Sequence, residues 1–428
     1  MHNVLHIAGL RKRLAAFGLM LVLLGSLFIP YGQLYSASAA EQSVRFKNLK
    51  TDENGIVQAT NGKWYKVLNG NVDRNANSIY PNGNGWWKCT NGEVTFHENG
   101  VFQNQYGWWY CQDSKVDFSY TGFGKNYVGQ WRIENGKVNF NANSIYQGKT
   151  GWFKTTNGQI TYNETGVFQN TLGWWYCENS KVNFDYNGVA SNYNGDWYCR
   201  NGKVDFHFNG YGRNKNGNWC ICEGKVQNDR NEALTIGTRN FTIQDGRIRW
   251  EGNYFLQPDA PYSNITYAKK TLATSGCGPV SLVNAIYCLN GIYIPVEEVA
   301  NWGYNNKYFN ADSFGGISKK EFFTKAAEEF GSRGSFRYIG YGKDVQDATL
   351  LNHLQTGGTA VLHVKYHFIA VIDFDPETNQ YFILDSYPGT GTSMPSKYRT
   401  TTAEGDWVTL DELKNGWLTV SEYWMYGD

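Results

Sequence analysis

Between residues 65 and 250 the hydrophobic positions keep a period of 22 residues. Tyr65, Trp87, Trp109, Trp131, Phe153, Trp175, Trp197, Trp219 and Phe241 mark the zero position of nine units. Seven residues after each comes a Val or Ile, from Val72 and Val94 through to Ile248. Nine residues after comes an aromatic in most units: Phe96, Phe118, Phe140, Tyr162, Phe184, Phe206 and Trp250. Arg74 and Asn228 break that rule in the first and eighth units. At offsets four and five sit pairs such as Asn91-Gly92, Asn135-Gly136, Asn201-Gly202 and Asp245-Gly246. A two-residue hairpin turn requires φ > 0 at both central positions, and these pairs supply it. Each unit therefore predicts a β-hairpin in which offset two faces offset seven and zero faces nine. Alternation then puts the Trp, the Val and the second aromatic on one buried face.

Cys89, Cys111, Cys177 and Cys199 all fall at offset two, where Ile133, Thr155 and Ile221 replace them elsewhere. Small buried hydrophobes are the reading that fits. Pairing between neighbouring units is the alternative, and no metal is expected because no His recurs with them. A longer period of 66 is visible too: Asn75–Tyr80 recurs as Asn141–Tyr146, and Gly100–Asn104 as Gly166–Asn170. Three hairpins per superhelical turn of a solenoid would explain it. At offset minus one, Trp64, Trp86, Trp108, Trp152 and Trp174 point away from the buried face, and Gln130, Asp196 and Asn218 replace them unevenly. Such rings either stack on ligands or seal the groove between hairpins. The units resemble the Gly/aromatic hairpin repeats of choline-binding and glucan-binding modules on bacterial surfaces. That resemblance implies a wall polysaccharide or teichoic-acid-type ligand. Here Trp-Trp-Tyr comes directly before the turn and Lys-Val-Asp-Phe follows it, which departs from the usual choline-binding pattern.

After Trp250 the period stops and helical spacing begins. Ser275-Gly276-Cys277-Gly278-Pro279 opens a helix whose Val283, Ile286, Tyr287 and Ile292 form an apolar stripe. Residues 351–354 end a second helix, and residues 360–365, 367–374 and 380–384 read as strands. A cysteine at a helix start has its thiolate favoured by the dipole and free N–H groups. Gly276 and Gly278 would let a substrate backbone approach closely. Of the domain's histidines, His367 opens a strand and is favoured as the base over His363; His353 is expected to be solvated. Asp385 closes the next strand and can orient the imidazole, whereas Asp373 and Asp375 suit a hairpin end. Cys288 suits the core. Together Ser-Gly-Cys-Gly-Pro, His-Phe-(apolar)₄ and (apolar)-Leu-Asp-Ser resemble papain-like peptidases related to the bacteriocin leader-processing family. The resemblance implies an α+β papain-like domain, a Cys277–His367–Asp385 triad and peptide-bond hydrolysis. Leader-processing members place a Gln six residues before the Cys. Thr271 stands there in this chain, which leaves Gln257 as the candidate second oxyanion donor.

Composition adds three things. The 16% aromatic content with 48 Gly and 9 Pro agrees with many short strands and tight turns. A net charge of +1 gives no electrostatic case for nucleic acid. Arg11-Lys12-Arg13, an apolar run from Leu14 to Ile29 and small residues near Ala37–Ala40 read as a secretory signal. No further apolar run is long enough to span a membrane, so no membrane partner is expected after cleavage. The chain thus divides into a signal (1–40), a lead-in (41–64), nine hairpins (65–250) and the C-terminal domain (251–428). The whole reads as a secreted cysteine peptidase acting on peptide or protein, without cofactor, held non-covalently at the cell surface by its repeats. A wall amidase or acyltransferase using the same triad, and an adhesin with an inactive domain, are the alternatives.

Overall fold

A computed structural model describes residues 44–259, 261–267, 269–310, 317–318, 320–387, 404–416 and 418–428. The expected signal segment lies outside the described residues. Among them, no helix is long and apolar enough to cross a membrane.

Each repeat is built around the strand that carries the zero position. In the third unit Gly107–Gln112 pairs with Gly100–Asn104 before it and, through a tight turn, with Lys115–Val116 after it. Offset two does face offset seven, as in Cys111↔Val116 and Cys199↔Val204. The turns take the left-handed conformation: Asn91 and Gly92 sit at φ 48 and 78. Gly92 has a second reason to be glycine. A Cβ there would lie 2.4 Å from the carbonyl oxygen of Asp73 in the preceding unit.

Zero does not face nine, except in the last unit, where Phe241 opposes Trp250. Elsewhere the strand ends at offset seven. Trp87, Trp109, Trp175 and Trp197 instead oppose Lys115, Lys137, Lys203 and Lys225 of the following unit. Each such lysine holds its ammonium over that ring, 5.2 Å from the centroid for Lys115 on Trp87. The second aromatic is therefore not on the buried face. Phe118 and Phe140 are 45% and 44% exposed and pack onto the Trp from the rim, edge to face. The expected Trp–Phe contact forms, but across a turn rather than across strands.

A longer hairpin, outside the sequence expectation, precedes each zero position. Its turn is most often Asn-x-x-Gly, as in Asn104–Gly107. The Asn104 carboxamide oxygen accepts from Tyr106 N at 2.9 Å and from the Trp109 indole at 3.0 Å. The same bond to the indole recurs at Asn82, Asn126, Asn170, Asn192 and Asn214. The 66-residue period is structural as well. Lys88 and Glu98 pair at 3.5 Å, and Lys154 and Glu164 at 3.2 Å.

The C-terminal region is a six-stranded antiparallel sheet with helices. The strand order is Arg337–Gly342, Val420–Gly427, Thr359–Val364, His367–Asp375, Gln380–Leu384, Asp406–Thr409. Residues 420–427 thus lie inside the sheet. Strand His367–Asp375 is buried on both faces. Phe368, Ala370 and Ile372 meet helix Cys277–Asn290, while Ile369 and Val371 meet helix Ala348–Gln355. Helices Val296–Asn305 and Lys320–Gly334 complete the first layer. Ile292 falls outside the expected helical stripe, because Gly291 ends the helix in the left-handed conformation.

The last hairpins are clamped to this domain. Arg213, 4% exposed, pairs with Glu412 and donates to the Trp407 carbonyl at 2.6 Å. Gln380 exchanges two 2.7 Å hydrogen bonds with the Tyr211 backbone. Asn218 donates to Gly405 O at 3.0 Å. Asn218 occupies an offset that holds Trp in five units; it pairs with Ile248 of the next hairpin and turns its carboxamide to the domain.

Candidate functional site

Cys277 is the first residue of its helix. The N-cap, Gly276, offers no side-chain cap, so the first-turn N–H groups are left to whatever sits at the thiol. Gly276 is required for packing: a Cβ would meet the Leu272 carbonyl oxygen at 2.4 Å. Its role is thus fixed within the chain, ahead of any role toward substrate. One turn into the helix, the Ser281 hydroxyl donates to Phe368 O at 2.8 Å. That bond ties the helix to the residue following His367. Farther along, Thr359 donates to Ala285 O at 2.8 Å. Two buried hydrogen bonds therefore set the helix register, one against the strand that begins with His367 and one against its neighbour.

His367 is 4% exposed, and its Nε2 lies 2.9 Å from Asp385 Oδ1. Asp385 also accepts from Tyr387 N at 2.9 Å. With Nε2 engaged by Asp385, Nδ1 is the ring nitrogen left to face Cys277, which acts on the imidazole to raise its pKa. Burial alone would lower the imidazole pKa. The Asp385 charge and hydrogen bond, aided by Cys277, outweigh it and raise the imidazole to about 10. Asp385 thus favours the protonated ring.

Gln257 is 2% exposed. Its Nε2 donates to Leu272 O at 3.3 Å, and its Oε1 accepts from Ser386 at 3.3 Å. A shorter bond, 2.7 Å from Gln257 N to Ser386 O, fixes the residue's place. Asn284 holds the same segment from the helix side, accepting from Phe255 N at 2.7 Å and donating to Phe255 O at 2.9 Å. Gln257 is thereby buried between the turn that leads into Cys277 and the residue that follows Asp385. The four residues singled out in this domain by sequence are brought together. Ser281 and Asn284, which help hold them, have no role in the sequence reading, and Ser386 enters it only as the end of the Leu-Asp-Ser motif. Each is a buried polar residue beside a site residue, a pattern that only the fold reveals.

The remaining histidines are elsewhere engaged. His363 lies 3.4 Å from Glu422 and stacks on Phe368; its burial lowers its pKa despite Glu422. His353 is not solvated as expected: its Nε2 lies 2.8 Å from Tyr426 O. Asp375 caps its own hairpin turn through Glu377 N at 2.9 Å. All eight cysteines are free thiols. Burial pushes Cys89, Cys111, Cys177 and Cys288 up to about 12, which suits packing rather than chemistry.

In the array, Trp64, Trp86, Trp108, Trp152 and Trp174 are half-buried. Each packs against the zero-position Trp of the next unit, at centroid distances from 4.9 Å for Trp108–Trp131 to 5.5 Å for Trp64–Trp87. Each also touches that unit's second aromatic, as Trp86 touches Phe118 at 5.5 Å. These rings do seal the groove between hairpins, and part of each triad stays at the surface.

Comparison with known proteins bears mainly on this array. No curated protein matches the chain. Among solved structures, one described as UfSP from C. elegans is 16% identical, with a TM-score of 0.27. The match covers 46% of this chain and 34% of that one, so this chain spans about a third of that protein's length. A likeness at that level carries no fold assignment. The family described as choline-binding repeat matches residues 98–117, 119–139, 163–183 and 185–205. Over those four segments the hairpin array is similar to choline-binding repeats, which suggests association with the cell surface.

Proposed function

We propose that the chain is a secreted cysteine peptidase with a papain-like domain, held at the bacterial cell wall by its hairpin array. The observation that carries the catalytic half is the buried His367–Asp385 pair beside Cys277 at an uncapped helix start. A protonated imidazole stabilises a neighbouring thiolate, and the helix dipole adds to it. The Cys277 thiolate attacks the scissile carbonyl. The backbone N–H of Cys277 and the Gln257 carboxamide are the donors assigned to the resulting oxyanion. His367 gives its proton to the leaving amine, then takes one from the water that hydrolyses the acyl-enzyme. Asp385 holds the ring in the required orientation and stabilises its charge. Supporting the binding half, the exposed part of each Trp triad offers an aromatic face to a choline-type ammonium group.

The test is Cys277→Ala against wild type on unfolded protein and on peptidoglycan, with choline-agarose retention measured alongside. Peptidase activity should vanish while retention and folding stay. Full activity in the variant would end the assignment. Activity on peptidoglycan alone would favour the amidase reading.

A further inference from the structure

One residue of the C-terminal domain stands where its backbone conformation disfavours it. Strands Thr359–Val364 and His367–Asp375 pair as Val364↔His367, so Lys365 and Tyr366 form the whole turn between them. Tyr366 sits at φ 63, in the left-handed region. A turn with φ > 0 at its second central residue ordinarily holds Gly or Asn there, because a Cβ crowds the following carbonyl. The turn into the next strand of the same sheet obeys that rule, with Asn379 at φ 56. Tyr366 gains nothing from burial either. It is 83% exposed, whereas the domain's other exposed large apolar residues run from Ile292 at 37% to Tyr304 at 51%. The Lys365 ammonium lies over its ring, 5.8 Å from the centroid, which leaves the opposite face to solvent. A bulky side chain kept in a disfavoured conformation, in water and next to His367, points to function rather than stability.

The position limits what the ring can meet. Adjacent Cα atoms are about 3.8 Å apart, and an extended peptide advances about 3.3–3.6 Å per residue. A ring carried next to His367 therefore covers about one residue of a peptide lying along Cys277 and His367. Under the proposed mechanism His367 gives its proton to the leaving amine, which puts the imidazole and its turn on the leaving-group side of the scissile bond. The polar groups on the adjoining strands are engaged with one another: His363 Nδ1 lies 3.0 Å from Ser421 Oγ and 3.4 Å from Glu422. Tyr366 is thus the apolar surface offered at this edge. An aromatic platform of that kind suits an aromatic or large aliphatic side chain.

We propose that Tyr366 determines specificity in the candidate peptidase: its open face packs on a large apolar side chain of the first residue beyond the scissile bond. The inference rests on the cysteine-peptidase reading and narrows its substrate class to peptides with an aromatic or large aliphatic residue at that position.

The test is to digest a proteome-derived peptide library with the full chain and to read the cut sites by mass spectrometry. Wild type should favour Phe, Tyr, Trp, Leu or Ile over Ser and Asp just beyond the cut by about tenfold. Tyr366→Asn should reduce that ratio to about one, through KM rather than kcat, while Tyr366→Phe should keep it. Asn tolerates the left-handed conformation, so the thermal midpoint of Tyr366→Asn should rise. Equal profiles for wild type and Tyr366→Asn, with cleavage still dependent on Cys277, would overturn this inference and leave the peptidase reading standing. A lowered thermal midpoint in Tyr366→Asn would make the ring a structural one and overturn it as well. Cleavage by wild type no greater than by Cys277→Ala would overturn both.

Discussion

The array and the C-terminal domain are held together in opposite ways. In the array, partners are close in sequence and recur: Trp109 on Asn104, five residues back, then Lys137 of the next unit over Trp109. In the domain, the bonds that place the site span long stretches of chain. Ser281 reaches Phe368, 87 residues on, and Gln257 reaches Ser386, 129 residues on. Repeat arrays are stable through neighbour contacts and can open locally. A domain with non-local contacts tends to lose its site as a unit. The two meet at the last hairpins, through Tyr211, Arg213 and Asn218.

The largest test of that contrast is chemical. Under the proposed mechanism, Asp385→Asn should lower kcat by about 10³–10⁴-fold, following the loss seen when a triad acid is neutralised. Choline-agarose retention should not move. A matching loss of retention would mean that the two regions are coupled more closely than their contacts indicate.

Next comes the clamp. Arg213→Ala leaves Glu412 buried without its partner and should cost about 3–5 kcal/mol. In urea unfolding, the domain and the last hairpins should shift together while the first units hold. A uniform shift across the whole array would break the neighbour-contact description.

Within the array, Trp109→Ala removes the ring shared by two units, at a cost of about 2–4 kcal/mol. Hydrogen exchange should quicken in residues near 86–118 and not in the domain.

The smallest expected effect is in alkali. His367 is raised from 6.5 to about 10, so its contribution to stability is complete below 6.5 and is lost as pH rises through 10. Asp373, pushed from 3.8 up to about 7 by burial, adds a loss at lower pH, since its neutral form is the favoured one. The buried thiols of the array, from 9.0 up to about 12, lose theirs later. Near-ultraviolet circular dichroism of the separate transitions should therefore show the domain loosening before the array. The reverse order would contradict the assignment of a protonated His367.

The residues make some of this legible and hide the rest for specific reasons. The turn at Asn91-Gly92 can be read because φ > 0 at two successive residues is a local demand. The second hairpin is written equally plainly, in the Asn at offset minus five, but an Asn-x-x-Gly turn looks like loop composition. Phe118 is assigned to the wrong face when alternation is carried past Val116, where the strand ends. In the domain, Cys277, His367 and Asp385 can be picked by residue type and position, and Gln257 only through the family resemblance. Ser281 and Asn284 cannot, since nothing in an apolar helix distinguishes a buried polar anchor from an ordinary helical position.

By itself, the sequence determined what is local: the 22-residue unit, its turns, the pairing of offset two with seven, and the helix start at Cys277. Those follow from φ/ψ limits and side-chain periodicity, which act over a few residues. Only the tertiary structure decided what meets across long separations. It put Lys115 on Trp87, turned Asn218 toward the domain, and closed His367 onto Asp385 beside Cys277. Such contacts depend on how whole elements dock, and docking is set by the summed burial of many side chains rather than by any short run of them.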